Sequence, residues 1–434
     1  MIGSQLWSSQ AIDFMYLTDT NNASVGPGAA GSVPIIHRHT KIAENNSAFP
    51  ADRISYQYHL FKDGARVTGL AEQTGPTGLP SPLPPQRVLP WNADHDVGVH
   101  TFAWEKSFAD GLFSVEVRLP FAYGLSSRLD MNCGQVTGDL VQKLTPDSAI
   151  YYLQVDPTVR DTWGREGWEL QDISLVLKAA IHRDPTNDFC FSGGFQVVAP
   201  TARGTRVSVT DYWAYYLPPY GAFWSMMGRR TRTFDVGNDT WTLSPFLALS
   251  SKPTPLTFFN AFVQLDVPVG TDKIAFAQHY ETTYLMGPFS SLIPTHYPQY
   301  QPVQETFTGS VRDQLLAQLD LGGGYWLYQN PQARWIKGVA AVLGIHVLQT
   351  LEDADSVQLP RSNLYQLTAT GVSEEVRPTV GNSAGSMTLT DLSFGIDTRL
   401  GKASDLAVGG TVPLGTGRNR TFSSELAVRL NLGF

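Results

Sequence analysis

The sequence predicts an all-β fold, a transmembrane antiparallel up-and-down β-barrel of about twelve strands, and three observations carry that prediction. Apolar and polar residues alternate strictly over a dozen segments. The links between those segments are by turns short and long. Charged residues make up only 16 % of the 434 residues, yet no run approaches the ~20 apolar residues that a spanning helix requires. Successive strand residues face opposite sides of a sheet, so a wall that meets lipid on one side needs only one apolar residue in two.

The first strand is expected at 52–61, with Ile54, Tyr56, Tyr58 and Leu60 on one face. The second follows at 97–106. In the third, 112–119, Phe113, Val115, Val117 and Leu119 oppose Ser114, Glu116 and Arg118. The fourth, 170–183, sets Ile173, Leu175, Leu177, Ala179 and Ile181 against Asp172, Ser174, Lys178 and His182. Strands at 188–199 (Phe189, Phe191, Phe195, Val197) and 240–250 come next. At 258–267, Phe259, Ala261, Val263, Leu265 and Val267 oppose Asn260, Gln264 and Asp266. The eighth, 314–328, carries Leu319, Leu321, Tyr325 and Leu327, and the ninth is 334–348. The last three are 386–398 (Leu392, Phe394, Ile396), 403–413 (Leu406, Val408, Val412) and 421–434, where Leu426, Val428, Leu430, Leu432 and Phe434 point one way. That final strand is expected to pair with the first, near 53–61, and close the barrel.

Short links at 107–110, 183–187, 251–255, 329–333 and 399–402 are rich in Gly, Pro, Asn and Asp, which supply turn chemistry. Long links at 62–96, 120–169, 200–239, 268–313 and 349–385, with a shorter one at 414–420, are too polar and irregular for lipid. Short turns belong on the periplasmic side and long loops outside, which puts both ends of the barrel in the periplasm. Residues 272–286 read either as a hairpin strand, giving fourteen, or as a helix within the fifth loop. Two regions result: an N-terminal periplasmic segment or plug at 1–51, and the barrel at 52–434. The opening MIGSQLWSSQ has neither a basic nor an apolar signal region, so the export signal is expected upstream of it.

The polar faces should line a wet interior in which Glu116 pairs with Arg118 and Asp172 with Lys178. The pore-lining residues are expected to be Glu116, Arg118, Asp172, Lys178, Asn260 and Gln264, followed by Asp266, Asp320, Glu425 and Arg429. Trp104, Trp241, Tyr325 and Trp335 fall near strand ends, where an interfacial girdle would put them.

Blocks of the chain resemble a planctomycete-type family of outer-membrane barrel proteins, hypothetical or putative transporters of unknown activity. They are KIAENNSAFPADRISYQYHLF at 41–61, FAWEKSFADGLFSVEVRLPF at 102–121, DISLVLKAAIHRD at 172–184, FVQLDVPVG at 262–270 and LLAQLDLGGGYWLY at 315–328. The resemblance implies the fold and a place in the bacterial outer membrane, and it implies no catalytic or ligand residue. Phe434, with apolar residues at alternate positions before it, also resembles the terminal signal read by barrel-insertion machinery.

Little in the chain points to chemistry. There is no GxxxxGK loop, and Gly322–Gly324 lies within a strand pattern. No GxSxG elbow occurs, although separate strands can assemble a Ser–His–acid set, for which Ser174, His182 and His346 are candidates. Solvated interior residues are the expected reading of these three, and no enzyme is expected. His37 and His39 lack a third metal ligand, and the acidic pairs Asp353/Asp355 and Glu374/Glu375 read as solvated charge, so no metal or cofactor is expected. Cys133 and Cys190 have no CxxC spacing and are expected to stay apart. The formal charge of −8, with Arg229, Arg230 and Arg232 the only basic cluster, excludes a nucleic-acid partner. The partners expected are membrane lipid, the insertion machinery, and a second copy or envelope neighbour. The expected role is a porin-like or gated channel for small solutes. The alternative is an adhesive or structural barrel whose long loops bind a neighbour, motivated by Tyr212, Trp213, Tyr215, Tyr216, Tyr220, Phe223 and Trp224.

Overall fold

In the computed structural model of this chain the described residues are 10–17, 27–35, 43–71, 89–125, 128–133, 151–152, 168–184, 188–216, 224–286, 304–353, 355–359, 367–368, 371–372, 379–381, 386–401, 403–416 and 419–434. Twelve antiparallel strands form a closed circuit: β1 Arg53–Ala71, β2 Leu89–Phe108, β3 Phe113–Tyr123, β4 Ile173–Asp184, β5 Phe189–Ala199 and β6 Trp241–Thr254. The circuit continues through β7 Thr257–Val269, β8 Leu316–Gln329, β9 Ile336–Thr350, β10 Thr388–Leu400, β11 Ser404–Pro413 and β12 Ser424–Gly433. Each pairs with the next, and β12 pairs with β1 from Ser424 opposite Lys62 to Gly433 opposite Arg53, so no wall strand is left with an open edge. Every expected strand is present.

The alternation acts as expected. Along β3 and β4 the polar Ser114, Glu116, Arg118, Ser174 and Lys178 are buried, while Leu119, Leu175, Leu177 and Ile181 are exposed. A water-soluble protein would do the opposite. Exposed Leu, Ile and aromatic side chains around a closed wall, with ionised groups enclosed, are the chemistry of a membrane-spanning barrel. Trp104, Trp241 and Tyr325 lie on the outward face of their strands, and Trp335 is exposed in the turn before β9. The short turns use left-handed backbone at Ala109, Asp110 and Gly111 and again at Asp188 and Gly401.

The long loops depart from the expectation. Residues 200–239 contain an antiparallel pair, Thr205–Tyr216 with Trp224–Val236, rather than irregular chain. Residues Asp272–Met286 pair with Trp224–Val236 and with Gln304–Val311, so they form neither a helix nor a wall strand. With Arg128–Cys133 these make a second sheet at the long-loop end. Fourteen wall strands are excluded for a physical reason. The outward side of 272–286 presents Lys273, Ala275 and Ala277, which suits water, while Ile274 and Phe276 are buried. Those two join Val207, Phe234, Val236 and Val311 in an apolar cluster with Phe61, Val97, Val99 and Ala122, inward residues of β1–β3. The second sheet therefore folds over the interior at that end. Asp272 anchors it by accepting from the backbone N–H groups of Asp239, at 2.8 Å, and Thr240, at 3.0 Å.

Near the N-terminus, Gln10–Leu17 and Pro27–Ile35 form a hairpin that joins the upper part of β1 at Gly31–Gly69 and Ser32–Thr68. The hairpin thus sits at the long-loop end. Residues 43–50 lie inside the wall.

Candidate functional site

The interior divides into two unlike halves. On β1–β4, five ionised groups form one network. Arg53 Nε lies 2.7 Å from Glu105 Oε2, Lys178 Nζ lies 2.8 Å from Glu105 Oε1, and Arg118 Nε lies 2.9 Å from Glu116 Oε1. Ser114 donates to Glu105 at 2.7 Å. Three cations thus face two carboxylates, and such charge is costly away from water unless other acceptors complete it.

The chain segment 43–50 supplies those acceptors. Lys178 Nζ donates to Asn46 Oδ1 and to the Ser47 carbonyl, each at 2.8 Å, and lies 3.4 Å from the Phe49 carbonyl. The thiol of Cys190, on β5, donates to the Ala48 carbonyl at 3.4 Å. On the other flank, Asn45 Nδ2 donates to Asn431 Oδ1 of β12 at 2.9 Å. His59 bridges Glu44, at 2.9 Å, and Glu425, at 2.5 Å. Ala43, Glu44, Asn45, Asn46 and Ala48 are all buried. The segment therefore spans the interior from β1 and β12 to β4 and β5. Asn45 turns it with left-handed backbone, φ 52°, a conformation that Asn tolerates better than most residues. Beneath it, Ala43 and Ala48 pack with Val176, Phe246 and Phe262. Phe246 crosses Gly194, where a Cβ would come within 2.4 Å of its ring.

At the short-turn end Asp52 receives Lys106 Nζ at 2.7 Å and the Ser107 hydroxyl and amide at 2.6 Å. The Lys106 ammonium first, then Ser107, holds its carboxyl down at about 2.

On β7–β12 the polar side chains form smaller, separate groups. Asp266 accepts from Gln264 and, at 2.5 Å, from Gln318. His346 lies between Asp320, at 2.7 Å, and Ser393, at 2.8 Å. Nearer the short turns, Arg429 Nη2 donates to Asp397 at 2.7 Å and Asp405 at 3.3 Å. Gly322 lies opposite both Asn260 and Gly344, so two adjacent positions of this wall carry no side chain at that level.

Of the ten residues expected to line the pore, Glu116, Arg118, Lys178, Gln264, Asp266, Asp320 and Glu425 are buried on the inner face, and Asn260 and Arg429 face inward with partial exposure. Asp172 is a correction. It precedes β4 and accepts from the Thr201 and Ala202 amides and from Asn238 Nδ2, so it pairs with loop groups at the rim and not with Lys178. Its parity was right, but the wall begins at Ile173. Ser174 and His346 are inward on separate parts of the wall, whereas His182 is exposed, so these three form no set. Arg53, His59, Glu105 and Ser393 also face inward, beyond the ten residues that the sequence points to. Alternation was the available signal, since Phe102 and Trp104 are exposed on β2 while Thr101, Ala103 and Glu105 are buried.

Cys190 is a buried free thiol. His37, His39, Glu374, Glu375, Tyr220 and Phe223 lie outside the described residues, as do the side chains of Cys133, Tyr212, Trp213, Tyr215, Tyr216 and Trp224. Among the described residues no cluster of His, Cys, Asp or Glu is arranged to hold a metal ion.

No family model and no curated protein matches the chain. Solved structures similar to it include the translocator domain of autotransporter NalP from Neisseria meningitidis, at 10 % identity and TM-score 0.32 over 90 % of this chain and 89 % of that one. The β domain of the Bordetella autotransporter BrkA matches at 9 % and 0.31 over 88 % and 100 %, and the CymD monoaromatic hydrocarbon channel at 11 % and 0.34 over 98 % and 87 %. Scores this low carry no argument, so the barrel stands on its own closed hydrogen-bond circuit.

Proposed function

We propose that the protein is a plugged channel of the bacterial outer membrane, closed by residues 43–50 and gated by their displacement to admit small polar solutes. The observation that carries this reading is how the segment is held. It bridges two separate stretches of the wall through hydrogen bonds and ion pairs, to Lys178 on β4 and to His59 and Asn431 on β1 and β12. Contacts of this kind exchange readily for water when a segment moves, whereas a fully apolar plug would have to expose its core. Glu116, Arg118, Lys178, Gln264, Asp266, Asp320, Glu425 and Arg429, with Asn260, then set what passes by charge and size.

Planar-bilayer recording tests the gate. Wild-type protein should give rare, brief openings. The full-length double variant Asn45→Ala/Asn46→Ala removes two of the segment's side-chain anchors and disfavours its left-handed turn, and should stay open at least about ten times longer, the ratio expected from ~1.4 kcal/mol. Identical, continuously closed records from both proteins would contradict the gate.

A further inference from the structure

On the β7–β11 side of the interior, three side chains from neighbouring strands stand in line. Ser393 Oγ of β10 lies 2.8 Å from His346 Nε2 of β9, and His346 Nδ1 lies 2.7 Å from Asp320 Oδ1 of β8. A carboxylate on Nδ1 fixes the imidazole tautomer whose Nε2 lone pair can accept a hydroxyl proton. The register builds this order. Asp320 is directly opposite His346, and Ser393 is opposite Gly344, one inward place further along. Gly344 leaves room beside the hydroxyl, since a Cβ there would lie 2.7 Å from Ser393 Oγ and 3.4 Å from His346 Nε2.

An independent feature adjoins the set. Thr411 faces Ser393 across the β10–β11 ladder, is 1 % exposed, and its Oγ1 has no hydrogen-bond partner. Among the described residues six buried hydroxyls lack a partner, Thr101, Ser174, Ser192, Thr240, Ser244 and Thr411, and Thr411 is the one that faces the His346-bonded serine. An unpaired donor beside a serine whose proton has an acceptor is positioned for a ligand oxygen. On the long-loop side, Leu316, Leu348, Met387 and Leu389 form a buried apolar cluster, next in line after His346.

We propose that Ser393, His346 and Asp320 form a serine-nucleophile hydrolytic centre inside the barrel, acting on a carboxylic ester with a short apolar acyl group. His346 Nε2 takes the Ser393 hydroxyl proton as Oγ bonds to the carbonyl carbon, and the carbonyl π electrons move to its oxygen, which Thr411 Oγ1 meets with a hydrogen bond. Collapse breaks the bond to the alcohol oxygen, which leaves with the proton from Nε2. Water then repeats the sequence on the acyl-serine, releasing the acid and restoring the hydroxyl. Asp320 acts through His346 as a positioning residue.

The three residues are 1–3 % exposed, so the centre is closed while the plug is seated. Phe262, directly opposite Asp320, belongs to the apolar cluster that includes plug residues Ala43 and Ala48. Displacing the plug frees that flank, and to this extent the inference rests on the gated reading.

A small alkyl fluorophosphonate, with peptide mapping of the adduct, tests it on the full-length barrel in detergent. Ser393 should be labelled in Asn45→Ala/Asn46→Ala, more slowly in wild type. His346→Ala in that background should slow labelling at least about a hundredfold, the scale of a lost general base. Asp320→Asn should slow it and change its pH profile. No Ser393 adduct in either plug form, or equal labelling with and without His346, overturns the proposal. Current recorded in parallel separates the two readings: open channels without an adduct leave the gate standing and remove the hydrolytic centre, and an adduct without current does the reverse.

Discussion

The two halves of the interior satisfy their buried polar groups in different ways. Around β1–β4, wall charges are completed by a separate piece of chain: Lys178 reaches Glu105 and then the plug, and His59 has a carboxylate from the wall on one side and from the plug on the other. Around β7–β11 wall residues serve one another, as in Asp266 with Gln264 and Gln318, or Asp320 with His346 and Ser393. The first half cannot lose its plug without exposing charge to whatever replaces it. The second meets the plug through the apolar ring of Phe262, which packs with Ala43 and Ala48. Gating energy should therefore reside chiefly in the first half.

The largest effect that would break this contrast comes from the charge network. Glu105→Gln removes the carboxylate that Arg53 and Lys178 share, and should cost about 3–5 kcal/mol in equilibrium urea unfolding from vesicles. Asp266→Asn, in the second half, should cost about 1–2 kcal/mol, the scale of one weakened polar contact, and leave channel opening unchanged. Equal costs would erase the distinction.

Next comes the hinge between plug and wall. His59→Leu leaves Glu44 and Glu425 without their shared donor, and should destabilise by about 1.5–3 kcal/mol while raising open probability. A stability loss with no change in current would mean that His59 supports the wall alone.

The smallest effect is at the foot of the plug. The Asp52 carboxyl is held at about 2, below its ordinary 3.8. Its contribution is complete above pH about 4 and lost as pH falls through about 2, because the unfolded state takes up the proton first. Asp52→Asn should remove this part of the acid dependence and slightly lower stability at neutral pH. An unchanged acid profile would assign no role to the Lys106–Asp52 contact.

Much of the wall is legible in the sequence because lipid imposes a period of two, and each outward Leu, Val or Phe reports its strand independently. Leu175, Leu177 and Ile181 are sufficient to place β4. The second sheet is not legible in the same way. Ile274 and Phe276 alternate as wall residues do, and only their partner, Phe234 rather than lipid, tells the two apart. Asp172 failed for a related reason, since parity continues past the rim where the wall does not. The plug is a short polar peptide with no period to detect. Ser393, His346 and Asp320 are separated by 47 and 26 positions, and only strand register brings them together.

The central claim is that residues 43–50 cover the short-turn end of β4 and β5 and can leave it. Cys190 is a native reporter, because its thiol lies under the Ala48 carbonyl. A small membrane-impermeant thiosulfonate, followed by peptide mapping to separate Cys190 from Cys133, measures the cover directly. The account predicts slow modification of Cys190 in the wild-type barrel and modification at least about tenfold faster in Asn45→Ala/Asn46→Ala, in proportion to the anchors lost. Equal rates in the two proteins would contradict it.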